Sequence, residues 1–162
     1  MAVILNIETA TTNCSVSISK EGETSILNED YDKNYSHAER LHVYIDEVLR
    51  TAKIKANELD AIAISKGPGS YTGLRIGVSA AKGLCFALNI PLISVSTLEA
   101  LAHQVKKCDG IIVAMLDARR MEVYSAVFDS NYYQIRETQA EILNESSFSS
   151  YLEQGKVYFI GN

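Results

Sequence analysis

Cysteine is scarce in this chain of 162 residues, and the three present, Cys14, Cys85 and Cys108, lie far apart. An odd number without CxxC spacing supports neither a disulfide framework nor a zinc site. Buried free thiols in a reducing cytoplasm are the expectation. Basic residues are also in deficit: 15 Lys and Arg stand against 20 Asp and Glu, a net charge of −5. Phosphate contacts supply most non-specific nucleic-acid affinity, so a free-standing RNA binder is excluded. Long apolar runs are missing too. The longest, Ile76 to Val95, is broken by Lys82, Gly83, Asn89 and Pro91 and is no membrane span. Met1 to Glu8 carries no basic segment and reaches an acid quickly, unlike a signal peptide.

Catalytic signatures are equally sparse. No Gly-Lys-Ser/Thr ending marks a Walker loop, and no G-x-S-x-G elbow surrounds Ser70. His37 and His42 are five apart and project from different parts of a helix, and His103 stands alone. Neither metal binding nor nucleophilic catalysis has a recognisable residue set here.

What is present is a regular α/β grammar, with 47% hydrophobic and 22% charged residues, which rules out disorder, collagen and coiled coil. Val3 to Ile7 is an apolar run suited to a central strand covered on both faces. After a polar turn, Thr9 to Asn13, Cys14, Val16 and Ile18 alternate with serines as in a half-buried strand. Glu21-Gly22 reads as a hairpin turn and Thr24 to Asp30 as a third strand. Ser36 and Glu39 form a capping box before an amphipathic helix over 37–52, with Leu41, Tyr44, Ile45, Val48, Leu49 and Ala52 on one side. A buried strand at Ala61 to Ile64, a glycine-rich turn at Gly67 to Gly73, a helix over 74–88, a strand at Pro91 to Val95 and a helix over 97–106 follow. Such alternation calls for parallel pairing with right-handed crossovers.

At Gly110 the pattern restarts. An apolar run to Leu116 ends in Asp117 as the first ended in Glu8, then come a turn, a strand at 121–129 and another from Tyr132. A helix around 146–152 and a strand at 157–160 complete the correspondence. The expectation is a structural duplication, 1–108 and 109–162, with a repeat of about 109 residues. That repeat extrapolates to a whole molecule of roughly 217 residues, with the second half incomplete and its sheet either incompletely covered or covered by a neighbouring chain.

Two features invite a functional reading. The loop Gly67-Pro-Gly-Ser-Tyr-Thr-Gly73 between strand and helix points backbone N–H groups at an anion, or else its glycines simply let the helix pack close to the sheet. Glu8, Thr9, Gly67, Gly69 and Asp117 are the candidates for contact with a nucleotide held between the halves. The helix after the loop carries a stripe of small residues at Gly73, Gly77 and Ala81 and is apolar nearly all round, with only Arg75 and Lys82 charged. Such a helix is buried on more than one side, against the first helix or against a partner protein.

Five segments resemble the TsaB family: Ile4-Leu-Asn-Ile-Glu-Thr-Ala10, His37-Ala-Glu-Arg-Leu41, Gly67-Pro-Gly-Ser-Tyr-Thr-Gly-Leu-Arg-Ile-Gly77, Lys82-Gly-Leu84 and Leu116-Asp-Ala-Arg-Arg-Met-Glu-Val-Tyr124. This family supplies the bacterial accessory subunit of tRNA threonylcarbamoyladenosine modification. The resemblance implies the duplicated ribonuclease-H-like fold of actin, sugar kinases and heat-shock ATPases. It also implies pairing with the catalytic paralogue TsaD, or with a second copy when alone, through the first two helices. Interface residues would be His42, Tyr44, Gly73, Arg75, Ile76, Gly77, Ser79 and Lys82. Thr97 and Leu101 stand where TsaD has its metal-binding His-x-x-x-His pair, so the resemblance implies a non-catalytic subunit. No cofactor of its own is expected, with ATP or ADP bound only within the partner complex. A TsaE-type ATPase, tRNA reached only through the complex, no membrane and a cytoplasmic location complete the implied setting. The alternative from another class is a nucleotide-dependent kinase or ATPase of the same fold.

Overall fold

The computed structural model describes residues 2–30 and 37–161, which divide into two compact units, 1–95 and 96–162. Ser36, the first half of the expected capping box, lies outside the described residues.

The first unit is built on a five-stranded sheet. β1 (Val3–Glu8) pairs antiparallel with β2 (Cys14–Lys20), which pairs antiparallel with β3 (Glu23–Asp30). On the other side of β1 lie β4 (Ala61–Ser65) and β5 (Leu92–Val95), both parallel. The order β3-β2-β1-β4-β5 fits the ribonuclease-H-like arrangement that the family resemblance implies. Register explains the core: Leu5 sits between Ile18 and Ile62, and Ile7 between Val16 and Ile64, all buried on one face. Two helices cover that face. α1 (His37–Ala52) turns Leu41, Ile45 and Val48 onto β2 and β3, the inward stripe its spacing predicts. It is tied to β3 by the Arg40–Asp30 ion pair and by a 2.7 Å hydrogen bond from Asn28 Nδ2 to Glu47. α2 (Tyr71–Leu88) packs on β4. β1 is central, as expected, yet only one of its faces joins the packed core. On the other, Asn6 donates across to the Ser17 and Ser19 hydroxyls at 3.2 and 3.1 Å.

The helix boundaries refine the expectations. α2 begins at Tyr71 rather than Leu74, because the Ser70 hydroxyl accepts the Gly73 N–H and caps the first turn. It ends at Leu88, as expected, and Asn89 closes the cap with a left-handed backbone. α3 (Thr97–Ala102) is shorter than the 97–106 helix read from periodicity. Past it, His103 stacks on Tyr132 at 4.4 Å, and the Tyr132 hydroxyl donates to the Val105 carbonyl at 2.7 Å, drawing the chain out of the helix.

The second unit repeats the first. β6 (Ile111–Asp117), β7 (Glu122–Phe128) and β8 (Gln134–Ile142) form an antiparallel meander. After α4 (Ser149–Leu152), a single turn where a longer helix over 146–152 was expected, β9 (Val157–Gly161) returns parallel to β6. β6-β7-β8-α4-β9 thus retraces β1-β2-β3-α1-β4. Leu98 and Ala102 of α3 pack with Ile112, Ala114, Leu116, Ala126 and Phe128 on one face of this sheet. α3 therefore belongs to the second unit, and the break falls after Val95 rather than after residue 108. The other face carries a smaller cluster of Val113, Val127 and Phe148.

Candidate functional site

Two places in the first unit gather the residues singled out in the sequence. The first is the end of the parallel strands. Glu8 closes β1 with its carboxylate turned back on the chain: Oε1 accepts the Ala10 N–H at 2.6 Å, and Oε2 accepts the Ser65 hydroxyl at the end of β4. Thr9 is wholly buried, and its hydroxyl has no hydrogen-bond partner. The glycines of the loop and helix meet this turn. An ideal Cβ on Gly69 would fall 2.3 Å from the Ala10 oxygen, one on Gly73 2.1 Å from the Thr9 oxygen, and one on Gly77 2.2 Å from Thr9 Oγ1. At Gly67, where φ is +103°, the Leu74 side chain is the near neighbour. Of the two readings of the loop, close packing of helix on sheet is what these contacts carry out: the chain's own atoms fill the space beside the glycines.

Asp117 stands in the second unit at the place equivalent to Glu8. Its Oδ1 accepts the Arg119 N–H at 2.7 Å, two residues on, just as Glu8 accepts from Ala10. The duplicated acid is thus at least a duplicated turn.

The second place is the outer side of α1 and α2. A groove of about 390 Å³ runs between them, lined by His42, Ile76, Ser79, Ala80, Gly83 and Leu84. His42, Ile76 and Ser79, three of the residues expected at an interface, are among those that line it. Arg75 and Lys82 of α2 are not among the residues that line it; both are exposed, with the Arg75 guanidinium held over the Tyr71 ring at 5.4 Å. Tyr44 is half-buried and packs against the core of its own unit. Gly73 and Gly77 are corrected outright: they are buried under Thr9 and do not belong to this face.

Sequence reasoning missed Ala80, Gly83 and Leu84, although with Ile76 and Ser79 they fall on one stripe at three- and four-residue spacing. It also missed Phe86, 91% exposed on α2, and Val43, half exposed on α1. An apolar groove on a helix that also exposes two cations and a phenylalanine has the composition of a protein interface rather than of ordinary surface.

The chemistry of the side chains is quiet. Burial pushes the Cys14 thiol up, opposed by Arg40 and reinforced by Glu8, and burial likewise pushes Cys85 up. Neither is an activated nucleophile. Ser70 is occupied as a helix cap, and His37 is buried with Nε2 2.9 Å from the Thr11 oxygen. Among the described residues, no three His, Cys, Asp or Glu side chains gather as a metal site, and no helix is long and apolar enough to cross a membrane.

The family model for TsaD, tRNA N6-adenosine threonylcarbamoyltransferase, matches residues 32–151. The tRNA threonylcarbamoyladenosine biosynthesis protein TsaB of Haemophilus influenzae is 38% identical over 127 residues, 75% of this chain and 51% of that protein. The TsaB of Buchnera aphidicola subsp. Baizongia pistaciae is 32% identical over 151 residues, 90% of this chain and 67% of that protein. Among solved structures, YeaZ from Pseudomonas aeruginosa is similar with a TM-score of 0.83 at 28% identity, covering 99% of this chain and 76% of that one. The chain spans about half to two-thirds of the length of these curated relatives.

Proposed function

The chain belongs to the TsaB family of tRNA threonylcarbamoyladenosine biosynthesis proteins, and from that membership we propose that it is a non-catalytic subunit that docks on and activates a TsaD-type threonylcarbamoyltransferase. The observation that carries this reading is the largely apolar groove between α1 and α2, on a helix that also exposes Arg75, Lys82 and Phe86. The partner presents a matching helical pair, and the contact closes as a four-helix arrangement. A stable contact of this kind buries roughly 1,600 Å² in total. Phe86 extends the same surface toward the end of α2 and is the kind of aromatic anchor on which interface energy concentrates.

In this account the chain handles tRNA only within the complex, in line with its net charge of −5. It holds no cofactor of its own, it works beside a TsaE-type ATPase in the cytoplasm, and alone it pairs with a second copy through the same face. The Glu8 turn and glycine loop serve the fold rather than a reaction.

The test is co-purification with the TsaD-type enzyme of the same organism. Wild type is expected to be retained. A variant with Arg75→Glu and Lys82→Glu, both exposed and free of core contacts, is expected to be lost from the complex while remaining folded. Retention of the double variant at wild-type level sinks the assignment of this face.

A further inference from the structure

Both helices of the docking face stand on one short turn, Thr9 to Asn13. α2 reaches it through its cap: the Ser70 N–H donates to the Ala10 oxygen at 2.6 Å. Gly69, Gly73 and Gly77 then bring the first two turns of α2 against Thr9 and Ala10, with no room for a side chain at any of the three. α1 reaches it through its first residue, with the buried His37 Nε2 2.9 Å from the Thr11 oxygen. Asn13 at the far end of the turn accepts the Asp30 N–H at 3.3 Å, and Asp30 in turn pairs with Arg40 of α1. The turn itself is held by Glu8, whose two carboxylate oxygens take the Ala10 N–H and the Ser65 hydroxyl and so clasp β1 to β4.

We propose that Glu8 is a positioning residue for partner binding: by holding the Thr9–Asn13 turn it fixes α1 against α2, and with them the width of the groove. This rests on the docking reading above and deepens it. Glu8 does not line the groove, whose walls are His42 on α1 and Ile76, Ser79, Ala80, Gly83 and Leu84 on α2. Any effect on binding therefore travels through the turn. The mechanism is a clasp of two hydrogen bonds and needs no negative charge. A glutamine in its place keeps both bonds, its oxygen accepting from Ala10 and its amide donating to the Ser65 oxygen. An alanine keeps neither.

The experiment measures the dissociation constant for the TsaD-type enzyme with wild type, Glu8→Ala, Glu8→Gln and Arg75→Glu, each checked for a fully folded population by circular dichroism. Glu8→Ala is expected to weaken binding about tenfold although every groove residue is intact, and Glu8→Gln to stay within about threefold of wild type. Arg75→Glu weakens binding directly and reports on the docking reading alone. If Arg75→Glu weakens binding and Glu8→Ala does not, the docking reading stands and the positioning role is overturned. If Glu8→Gln fails as badly as Glu8→Ala, the carboxylate charge acts rather than the clasp, and the proposal is equally overturned. If wild type does not bind, the docking reading fails, and amide exchange decides the positioning role. Exchange should then be faster over residues 73–77 in Glu8→Ala and unchanged in Glu8→Gln, and equal rates in all three proteins refute it.

Discussion

The sharpest physical test of this architecture is a pair of identical substitutions on one helix. Gly77 and Gly83 both lie inside α2, where replacing glycine by alanine is favourable by about 1 kcal/mol because the unfolded chain loses freedom. At Gly83 an added Cβ meets nothing within 4 Å. Gly83→Ala should therefore realise that gain in full, about 1 kcal/mol, and raise the melting temperature by roughly 2–4 °C for a chain of this size. At Gly77 the same methyl would sit 2.2 Å from Thr9 Oγ1 and 3.1 Å from Ile64 Cδ1. Thr9 is fully buried, so its side chain has nowhere to swing, and overpacking of this kind costs about 1–3 kcal/mol. With the clash at the upper end of that range, Gly77→Ala should be destabilising by about 2 kcal/mol net, opening a gap of about 3 kcal/mol between the two variants. Urea unfolding measures the difference, and amide exchange along α2 confirms that it belongs to the first unit. Equal stabilisation by both substitutions would refute the close seating of α2 on the Thr9 turn.

Two further outcomes follow from other parts of the chain. In the second unit, burial raises the affinity of Glu141 for its proton, but hydrogen bonds from Arg136 and Ser125 and the Arg136 charge outweigh it and hold the carboxyl below its ordinary 4.5. The folded value lies below the unfolded one, so the stabilisation is complete above that value and is lost as pH falls through the folded one. Glu141→Gln should accordingly flatten the acid limb of a urea-denaturation series, and an unchanged limb contradicts this. At the end of α2, Asn89 occupies the left-handed region with φ of 55°. Asn89→Ala should cost about 1 kcal/mol and Asn89→Gly a few tenths at most, read as a melting-temperature shift.

The strands and helices were largely legible because their signals are periodic. The alternation of Cys14, Val16 and Ile18 with serines, and the spacing of Leu41, Ile45 and Val48, each point one face inward, and the register confirms them. Glu8 and Asp117 were recognisable as equivalents because each ends an apolar run before a polar turn, and in the structure each accepts a backbone N–H two residues on. What stayed illegible was direction. A stripe of Gly73 and Gly77 announces that some backbone comes close, but a residue without a side chain does not say which side of the helix is meant. The answer, Thr9, is remote in sequence. Tyr44 is ambiguous for a related reason: an aromatic at the margin of an amphipathic stripe packs on the core with one side and leaves the other at the surface. Glu8 as a clasp needed Ser65, contributed by a strand far along the chain, and no local pattern links them. The shortness of α3 followed from Tyr132 and His103, again a tertiary contact overriding a helical pattern.

The central claim is that the α1–α2 face is where this chain meets its catalytic paralogue. The most direct measurement is the dissociation constant of that complex, by calorimetry, for wild type and for the variant carrying Arg75→Glu and Lys82→Glu. The account predicts saturable binding by wild type and a loss of at least about a hundredfold in the double variant, roughly 2.8 kcal/mol. Wild-type affinity in the double variant would place the contact elsewhere and contradict the account.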